Sequence, residues 1–204
     1  MAIFPAESRL GKHLPHVKFI YPNAPALHIT IYGMMTPAWY DFLSPSASSI
    51  NHEQDEKGML RSRQQVLQIV RDEMETSNIP ANRIVIGGFS QGCVLSLLTG
   101  LTSEYRFAGI ASLSGYLPLP EKIMDMATDA NRKTPIFWGH GTADQAVKYE
   151  FGEETVEFLQ KNNYAVDFHS YKRMGHSASI EEITDLLAFF KQTIPEQQPV
   201  TAKI

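Results

Sequence analysis

The sequence lacks most of the features that mark a specialised class of protein. Its 204 residues contain one cysteine, Cys93, so an internal disulfide is excluded. The 18 basic residues are scattered and the formal net charge is −4, which leaves nucleic-acid binding without support. No cluster of cysteine and histidine has the spacing of a metal site. We therefore predict no nucleic-acid partner and no bound metal ion.

Targeting and membrane signals are also scarce. No apolar run approaches the roughly 20 residues that span a bilayer. The first residues lack a basic region followed by a long apolar stretch, which a secretory signal would have. Ala2 does not fit a myristoylation signal, and the final Thr-Ala-Lys-Ile is not a prenylation box. The sequence thus predicts a soluble protein of the cytoplasm, with the nucleus as a further location.

The length and composition favour one globular domain. Hydrophobic residues make up 43% and charged residues 20%, which is ordinary for a globular protein with one core. Residues 44–55 are rich in serine and acidic side chains and are typical of a surface loop. Residues 195–204 are predicted to form a flexible tail. We predict a single domain over residues 1–204.

Short apolar runs alternate with helical patterns along the chain. The runs predict strands at 17–21, 84–86, 107–113, 136–138 and 166–171. Apolar spacing predicts helices at 6–13, 59–74, 94–101, 151–159 and 180–194. The predicted apolar face of the last helix comprises Ile180, Ile183, Leu187, Phe190 and Ile194. This alternation implies an α/β fold, with a mainly parallel sheet covered by helices on both faces and a site beyond the carboxyl ends of its strands.

One serine stands between a predicted strand and a predicted helix, in the motif Gly-Phe-Ser-Gln-Gly at residues 88–92. A nucleophile elbow has this order, and it needs small neighbours because its chain segments approach closely. Gly88 and Gly92 meet that need. Ser90 is therefore the candidate nucleophile, and the backbone N–H of Gln91 is a candidate oxyanion donor. The alternative is an ordinary glycine-rich turn in which the serine caps the helix.

A nucleophilic serine requires a base, which in this kind of fold comes last in the order serine, acid, histidine. Three histidines follow Ser90. His169 lies inside a predicted strand, and His140 precedes any plausible acid. His176 lies in a predicted loop after a strand and before the last helix, where an imidazole can reach the serine. We predict His176 as the base.

The base in turn requires a carboxylate to orient it. Asp144 comes just after the predicted strand 136–138, in the motif Gly-Thr-Ala-Asp. Its rivals are Asp167, near the start of a predicted strand, and Asp185, on a predicted helix. Both rivals are expected to be solvated, so Asp144 is the predicted acid.

These motifs, taken together, resemble those of the acyl-protein thioesterase/carboxylesterase family of α/β-hydrolases. The resemblance rests on the elbow motif, on His-Gly-Thr-Ala-Asp at 140–144 and on Met-Gly-His-Ser at 174–177. Residues 17–25 are similar to the family's second strand and the proline-rich turn after it. Residues 36–42 are similar to a Met-Pro-Ser-Trp-Phe-Asp segment that borders the family's acyl pocket. The resemblance covers nearly the whole chain.

The resemblance implies hydrolysis of thioesters and oxygen esters without a cofactor. S-acylated proteins, lysophospholipids and small carboxylic esters are the implied substrates, and transient contact with a membrane surface is allowed. Ser90 would attack the acyl carbon, His176 would carry the proton, and Asp144 would hold the imidazole. The candidates for lining the pocket, each of which could equally belong to the core, are Trp39, Leu117 and Met174.

One departure from the family pattern bears on efficiency. Family members begin with a strand that ends in His-Gly-x-Gly-Asp, whose backbone supplies a second oxyanion donor, and no His-Gly precedes Ser90 here. We therefore expect an N-terminally shortened sheet whose neighbouring elements carry unpaired backbone groups and exposed apolar faces. Loss of one oxyanion donor costs roughly 10²–10³ in kcat.

Two alternative functions follow from these observations. The first is a catalytically impaired relative that acts as a binding or regulatory protein. The second is another hydrolase of the same fold, such as a peptidase or a lipase. The segment between Ser90 and Asp144 contains no large insertion, which argues against a lipase gated by a lid.

Overall fold

The computed structural model describes residues 7–43 and 53–196, in which six helices and six strands follow one another. The first part contains α1 (Glu7–His13), β1 (Ala26–Ile29) and β2 (Met34–Pro37). The second part contains α2 (Glu56–Thr76), β3 (Val85–Phe89), α3 (Gln91–Thr102), β4 (Gly109–Leu113), α4 (Ile123–Met126), β5 (Ile136–Gly141), α5 (Tyr149–Lys161), β6 (Val166–Tyr171) and α6 (Ile180–Thr193). Most of the predicted loop 44–55 and of the predicted tail 195–204 lies outside the described residues.

The central feature is a parallel sheet of four strands in the order β3-β4-β5-β6, with helices on both faces. Alternate residues of each strand enter different cores, because successive side chains of a strand point to opposite faces. Ile110 and Trp138 pack with α2, α3 and α5, whereas Ala111 and Phe137 pack with α6. The predicted α/β-hydrolase type of fold, with a parallel sheet between two helical layers, is confirmed.

The predicted strand at 17–21 is wrong. In the structure Lys18 forms an ion pair with Glu73 of α2 (Nζ to Oε1, 2.6 Å), and the ring of Phe19 packs 6.4 Å from that of Phe190 on α6. The segment therefore runs between helices of the two layers. A strand also needs a neighbour to complete its backbone hydrogen bonds, and within the described ranges β3 is paired with β4 alone.

The two strands nearest the N-terminus form a separate antiparallel hairpin, β1-β2. At and beside its turn Tyr32, Met34 and Met35 are each 59% exposed. These residues lie on a hairpin that the apolar pattern did not predict, so the exposed apolar faces expected on the neighbours of a missing strand stay a prediction.

The predicted inner face of α6 is rotated by about one residue from the observed one. Glu182, Leu186 and Phe189 are buried, whereas Ile180 is 72% exposed. A one-residue shift turns a helix face by about 100°. The pattern misled because a buried carboxyl group, Glu182, occupies an inward position that hydropathy assigns to solvent.

The helices of the described segments include none with the length and apolar character needed to cross a membrane.

Candidate active site

Ser90 lies at a sharp turn between β3 and α3. Its backbone has φ 56° and ψ −119°, a left-handed conformation that is strained for any residue with a Cβ atom. The turn is tight, since a Cβ atom on Gly88 would lie 2.3 Å from the carbonyl carbon of Gly92. Glycine at position 88 is therefore required. A Cβ atom on Gly92 would meet open space, so the prediction that Gly92 must itself be small is wrong.

The side chains of Ser90, His176 and Asp144 form a continuous chain of hydrogen bonds. The Oγ of Ser90 lies 2.9 Å from Nε2 of His176. The Nδ1 of His176 lies 2.7 Å from Oδ2 of Asp144. A carboxylate only accepts, so Nδ1 carries the proton and Nε2 is left to accept from the serine hydroxyl. This is the arrangement in which a histidine can take the serine proton.

Asp144 is 4% exposed and every side of its carboxylate is occupied. Oδ1 accepts from the backbone N–H groups of Ala146 and Val147, both at 2.9 Å, and Oδ2 accepts from His176. Burial disfavours the charged form. The side chains of His140 and His176 and the N–H of Val147 outweigh burial and hold the pKa of Asp144 well below its ordinary value. The group is therefore a carboxylate at neutral pH.

The loops that carry the acid and the base are joined through Met174. The backbone N–H of Ala143 donates to the carbonyl oxygen of Met174 at 2.9 Å. A Cβ atom on Gly141 would lie 2.2 Å from that same oxygen, so the close approach depends on glycine. The loop after β5 and the loop after β6 are thus held together at the carboxyl ends of neighbouring strands. This contact fixes the separation of Asp144 from His176.

The two rival acids lie beside another histidine. Nε2 of His169 lies 3.0 Å from Oδ2 of Asp167, and its Nδ1 lies 3.3 Å from Oδ2 of Asp185. The ring of His169 packs on Phe137, at the face of the sheet that α6 covers. The structure groups these carboxylates with His169 and brings Asp144 to His176.

Gln91 is the first residue of α3, so its backbone N–H has no acceptor within the helix. That free donor is what an oxyanion site requires, and its role stays a prediction. The side chain of Gln91 is engaged elsewhere: Oε1 accepts from the N–H of Trp39 at 3.0 Å, and Nε2 donates to the carbonyl oxygen of Tyr40 at 2.8 Å. The segment before residue 41 is therefore tied to the elbow.

The three predicted pocket residues lie in different surroundings. Trp39 is half-buried and its backbone is held by Gln91 and by the hydroxyl of Ser62. Met174 is 8% exposed and lies in the loop before His176. Leu117 is fully buried in the main hydrophobic core. Their role in binding an acyl chain stays a prediction.

Sequence reasoning missed the contact of His140 with the acid. Nε2 of His140 lies 3.6 Å from Oδ2 of Asp144, and both side chains are fully buried. The spacing of four residues between them in one motif was the available signal. Within residues 7–43 and 53–196, no three Cys, His, Asp or Glu side chains are grouped as metal ligands.

Comparison with known proteins agrees with this geometry. Residues 6–194 match the family model described as Phospholipase/Carboxylesterase. Acyl-protein thioesterase 1 of Mycosarcoma maydis is 43% identical over 196 residues, which cover 90% of this chain and 81% of that protein. Acyl-protein thioesterase 1 of Yarrowia lipolytica is 39% identical over 193 residues, covering 93% and 84%.

Solved structures show the same likeness. The crystal structure of Arabidopsis thaliana SOBER1 superimposes with a TM-score of 0.84 at 27% identity, over 93% of this chain and 92% of that one. The family match spans nearly all of the chain, as the sequence resemblance implied. This chain belongs to the phospholipase/carboxylesterase family.

Proposed function

We propose that this chain is a serine hydrolase that cleaves thioester and carboxylic ester bonds, with S-acylated proteins as its principal substrates. The observation that carries the proposal is the unbroken hydrogen-bond chain from Ser90 through His176 to Asp144, at 2.9 and 2.7 Å. The curated relatives matched over most of the chain are named acyl-protein thioesterases. Those names favour acylated proteins over lysophospholipids and small esters, and an enzyme over an inert binding protein.

The geometry supports a two-step mechanism. The Oγ of Ser90 attacks the acyl carbon while Nε2 of His176 takes the hydroxyl proton. The N–H of Gln91 donates to the oxygen of the tetrahedral intermediate. His176 returns the proton to the departing thiol or alcohol, which leaves an acyl group on Ser90. Water activated by His176 then releases the acid and restores the serine.

Asp144 supports both steps without reacting. Its carboxylate accepts from Nδ1–H of His176, which keeps Nε2 free to act as the base and stabilises the imidazolium when it forms. Because its pKa is held low, it remains charged throughout the neutral range.

Replacement of Ser90 by alanine tests the proposal. We expect Ser90→Ala to lose hydrolysis of short p-nitrophenyl esters and of an S-palmitoylated peptide, and to lose labelling by a fluorophosphonate probe. Ser77→Ala is the matched control, since Ser77 is an exposed cap at the end of α2 and should leave all three signals unchanged. Turnover that survives in Ser90→Ala would reject the mechanism.

The substrate class is tested with a panel at equal enzyme concentration. An S-palmitoylated peptide should give a higher kcat/KM than lysophosphatidylcholine if acylated proteins are the principal substrates. A higher kcat/KM for lysophosphatidylcholine would instead make lysophospholipids the principal substrates, and it would leave the assignment of Ser90 unchanged.

A further inference from the structure

His140 is a buried histidine beside the catalytic acid that the mechanism above does not use. It lies near the end of β5, and its side chain is fully buried. Nε2 lies 2.9 Å from the carbonyl oxygen of Val147 and 3.6 Å from Oδ2 of Asp144. A carbonyl oxygen only accepts, so Nε2 carries a proton and donates to Val147.

The other edge of the ring is fixed by packing. A Cβ atom on Gly152 of α5 would lie 2.5 Å from Nδ1 of His140, so glycine at this position leaves just enough room for the ring. The ring of Tyr149 stands perpendicular to it, with the centroids 5.7 Å apart. Nδ1 has no hydrogen-bond partner among the described residues. This packing holds the ring of His140 in one orientation, in which Nε2–H points to the turn after β5.

That turn is the segment that presents the acid. The N–H of Val147 donates to Oδ1 of Asp144 at 2.9 Å, while the carbonyl oxygen of Val147 accepts from His140. Both backbone polar groups of Val147 are thus held, one by the acid and one by His140. With Oδ1 fixed in this way, Oδ2 is directed to His176 at 2.7 Å.

We propose that His140 is a positioning residue, whose Nε2–H fixes the turn that carries Asp144 and so aims that carboxylate at His176. This inference rests on the proposed function, because it concerns the same triad. Electrostatics agree with it. Burial works against the charge on Asp144, and the side chain of His140 is foremost among the groups that overcome burial and lower the pKa of that carboxyl.

The role predicts a particular kinetic effect. A residue that acts through the acid affects the chemical step and makes no contact with substrate, so its loss should lower kcat and leave KM unchanged. A general loss of stability would instead reduce the fraction of folded enzyme without changing the kcat of the molecules that remain folded.

Two substitutions at one position separate the donor from the ring. His140→Gln keeps an N–H at about the reach of Nε2, whereas His140→Leu removes it and keeps an apolar side chain. With a short p-nitrophenyl ester, and with rates scaled to folded enzyme by circular dichroism, His140→Leu should lose at least about tenfold in kcat with KM within about twofold. His140→Gln should recover most of that loss.

His169→Gln is the matched control. It makes the same substitution on β6, opposite Gly139 in the sheet, at a histidine that does not touch the triad. Its kcat should stay within about twofold of the wild type.

Gly152→Ala tests the same role by a second route, since its added methyl group displaces the ring of His140 while the imidazole remains. It should lower kcat as well, and it decides the matter if His140→Leu does not fold.

Three results would overturn the inference: wild-type kcat in folded His140→Leu, an equal loss in His140→Gln, or wild-type kcat in folded Gly152→Ala where His140→Leu cannot be made. A failure of the proposed function would look different. If Ser90 were not the nucleophile, Ser90→Ala would retain turnover, whatever the His140 variants do.

Discussion

The strained backbone of Ser90 determines how this residue presents its side chain. At φ 56° and ψ −119° the side chain is lifted from the strand and directed to His176. Such conformations cost on the order of 1–3 kcal/mol in a residue with a Cβ atom. The flanking strand and helix hold Ser90 in this conformation, so presenting the proposed nucleophile costs part of the stability of the fold.

This strain predicts a difference between two inactive variants. Ser90→Ala and Ser90→Gly both lack the hydroxyl, but glycine adopts this conformation without a steric clash. We expect Ser90→Gly to be more stable than Ser90→Ala, by about 1 kcal/mol after the entropy of glycine in the unfolded chain is considered. Urea unfolding of the two proteins measures it. A Ser90→Ala protein more stable than Ser90→Gly would show that the turn is unstrained, because only the entropy of glycine would then separate the two.

Glu182 is a second unusual residue, because its carboxyl group is fully buried against Gly139 of β5. Its two oxygens have no hydrogen-bond partner within the described segments. Burial, aided by the negative charge of Asp185, raises its pKa to about 8 from an ordinary value of 4.5. The folded protein therefore keeps a proton there that the unfolded chain releases.

The sign of the pH effect follows from that difference. Between about pH 4.5 and 8 the folded state binds the extra proton, so the free energy of unfolding falls as pH rises and levels off above 8. At about 1.36 kcal/mol per pKa unit, the shift from 4.5 to about 8 gives an expected decline of about 4–5 kcal/mol for Glu182. Glu182→Gln should flatten this decline in urea unfolding between pH 5 and 9. Asp144 does not disturb the comparison, because its lowered pKa keeps it charged over that range. Identical slopes would contradict the assignment.

At the scale of elements, the junction of β3 with α3 is a place where the sequence dictates structure strictly. A Cβ atom on Gly88 would lie 2.3 Å from the backbone of Gly92, and backbone cannot move aside as a side chain can. Position 92 does not require glycine in the same way, because a Cβ atom on Gly92 would meet no atom within 4 Å.

The two glycines of the elbow motif should therefore respond differently to the same substitution. Gly88→Ala should reduce the free energy of unfolding by more than about 2 kcal/mol and abolish hydrolysis, since it forces the strand and helix apart. Gly92→Ala should fold with nearly wild-type stability. Thermal unfolding and ester turnover measure both effects. A stable, active Gly88→Ala protein would show that the junction is looser than the structure has it.

The elements also show where sequence patterns succeed and fail. Residues 166–171 were predicted as a strand, and β6 has those bounds. Residues 17–21 had the same kind of composition but form no strand, because a strand depends on a partner that composition does not reveal. The face of α6 was misplaced because the buried Glu182 violates the hydropathy rule on which the prediction rested.

At the scale of the molecule, the parallel order of the strands brings the site together. Ser90 follows β3, Asp144 follows β5 and His176 follows β6, so three residues that are far apart in sequence meet at one edge of the sheet. That convergence could be predicted, because each residue lies in the segment that follows a predicted strand. The contact of His140 with Asp144 was missed, because the spacing of four residues does not by itself show how the turn after β5 folds back on the strand.

If hydrolysis passes through an acyl group carried on Ser90, that intermediate should be detectable on the enzyme. The enzyme is mixed with an excess of a p-nitrophenyl ester, quenched in acid within the first turnovers and digested for mass spectrometry. We expect one added acyl group on the peptide that contains Ser90, and none on the corresponding peptide of Ser90→Ala. An acyl group on another residue, or continued turnover with no acylated peptide, would contradict it.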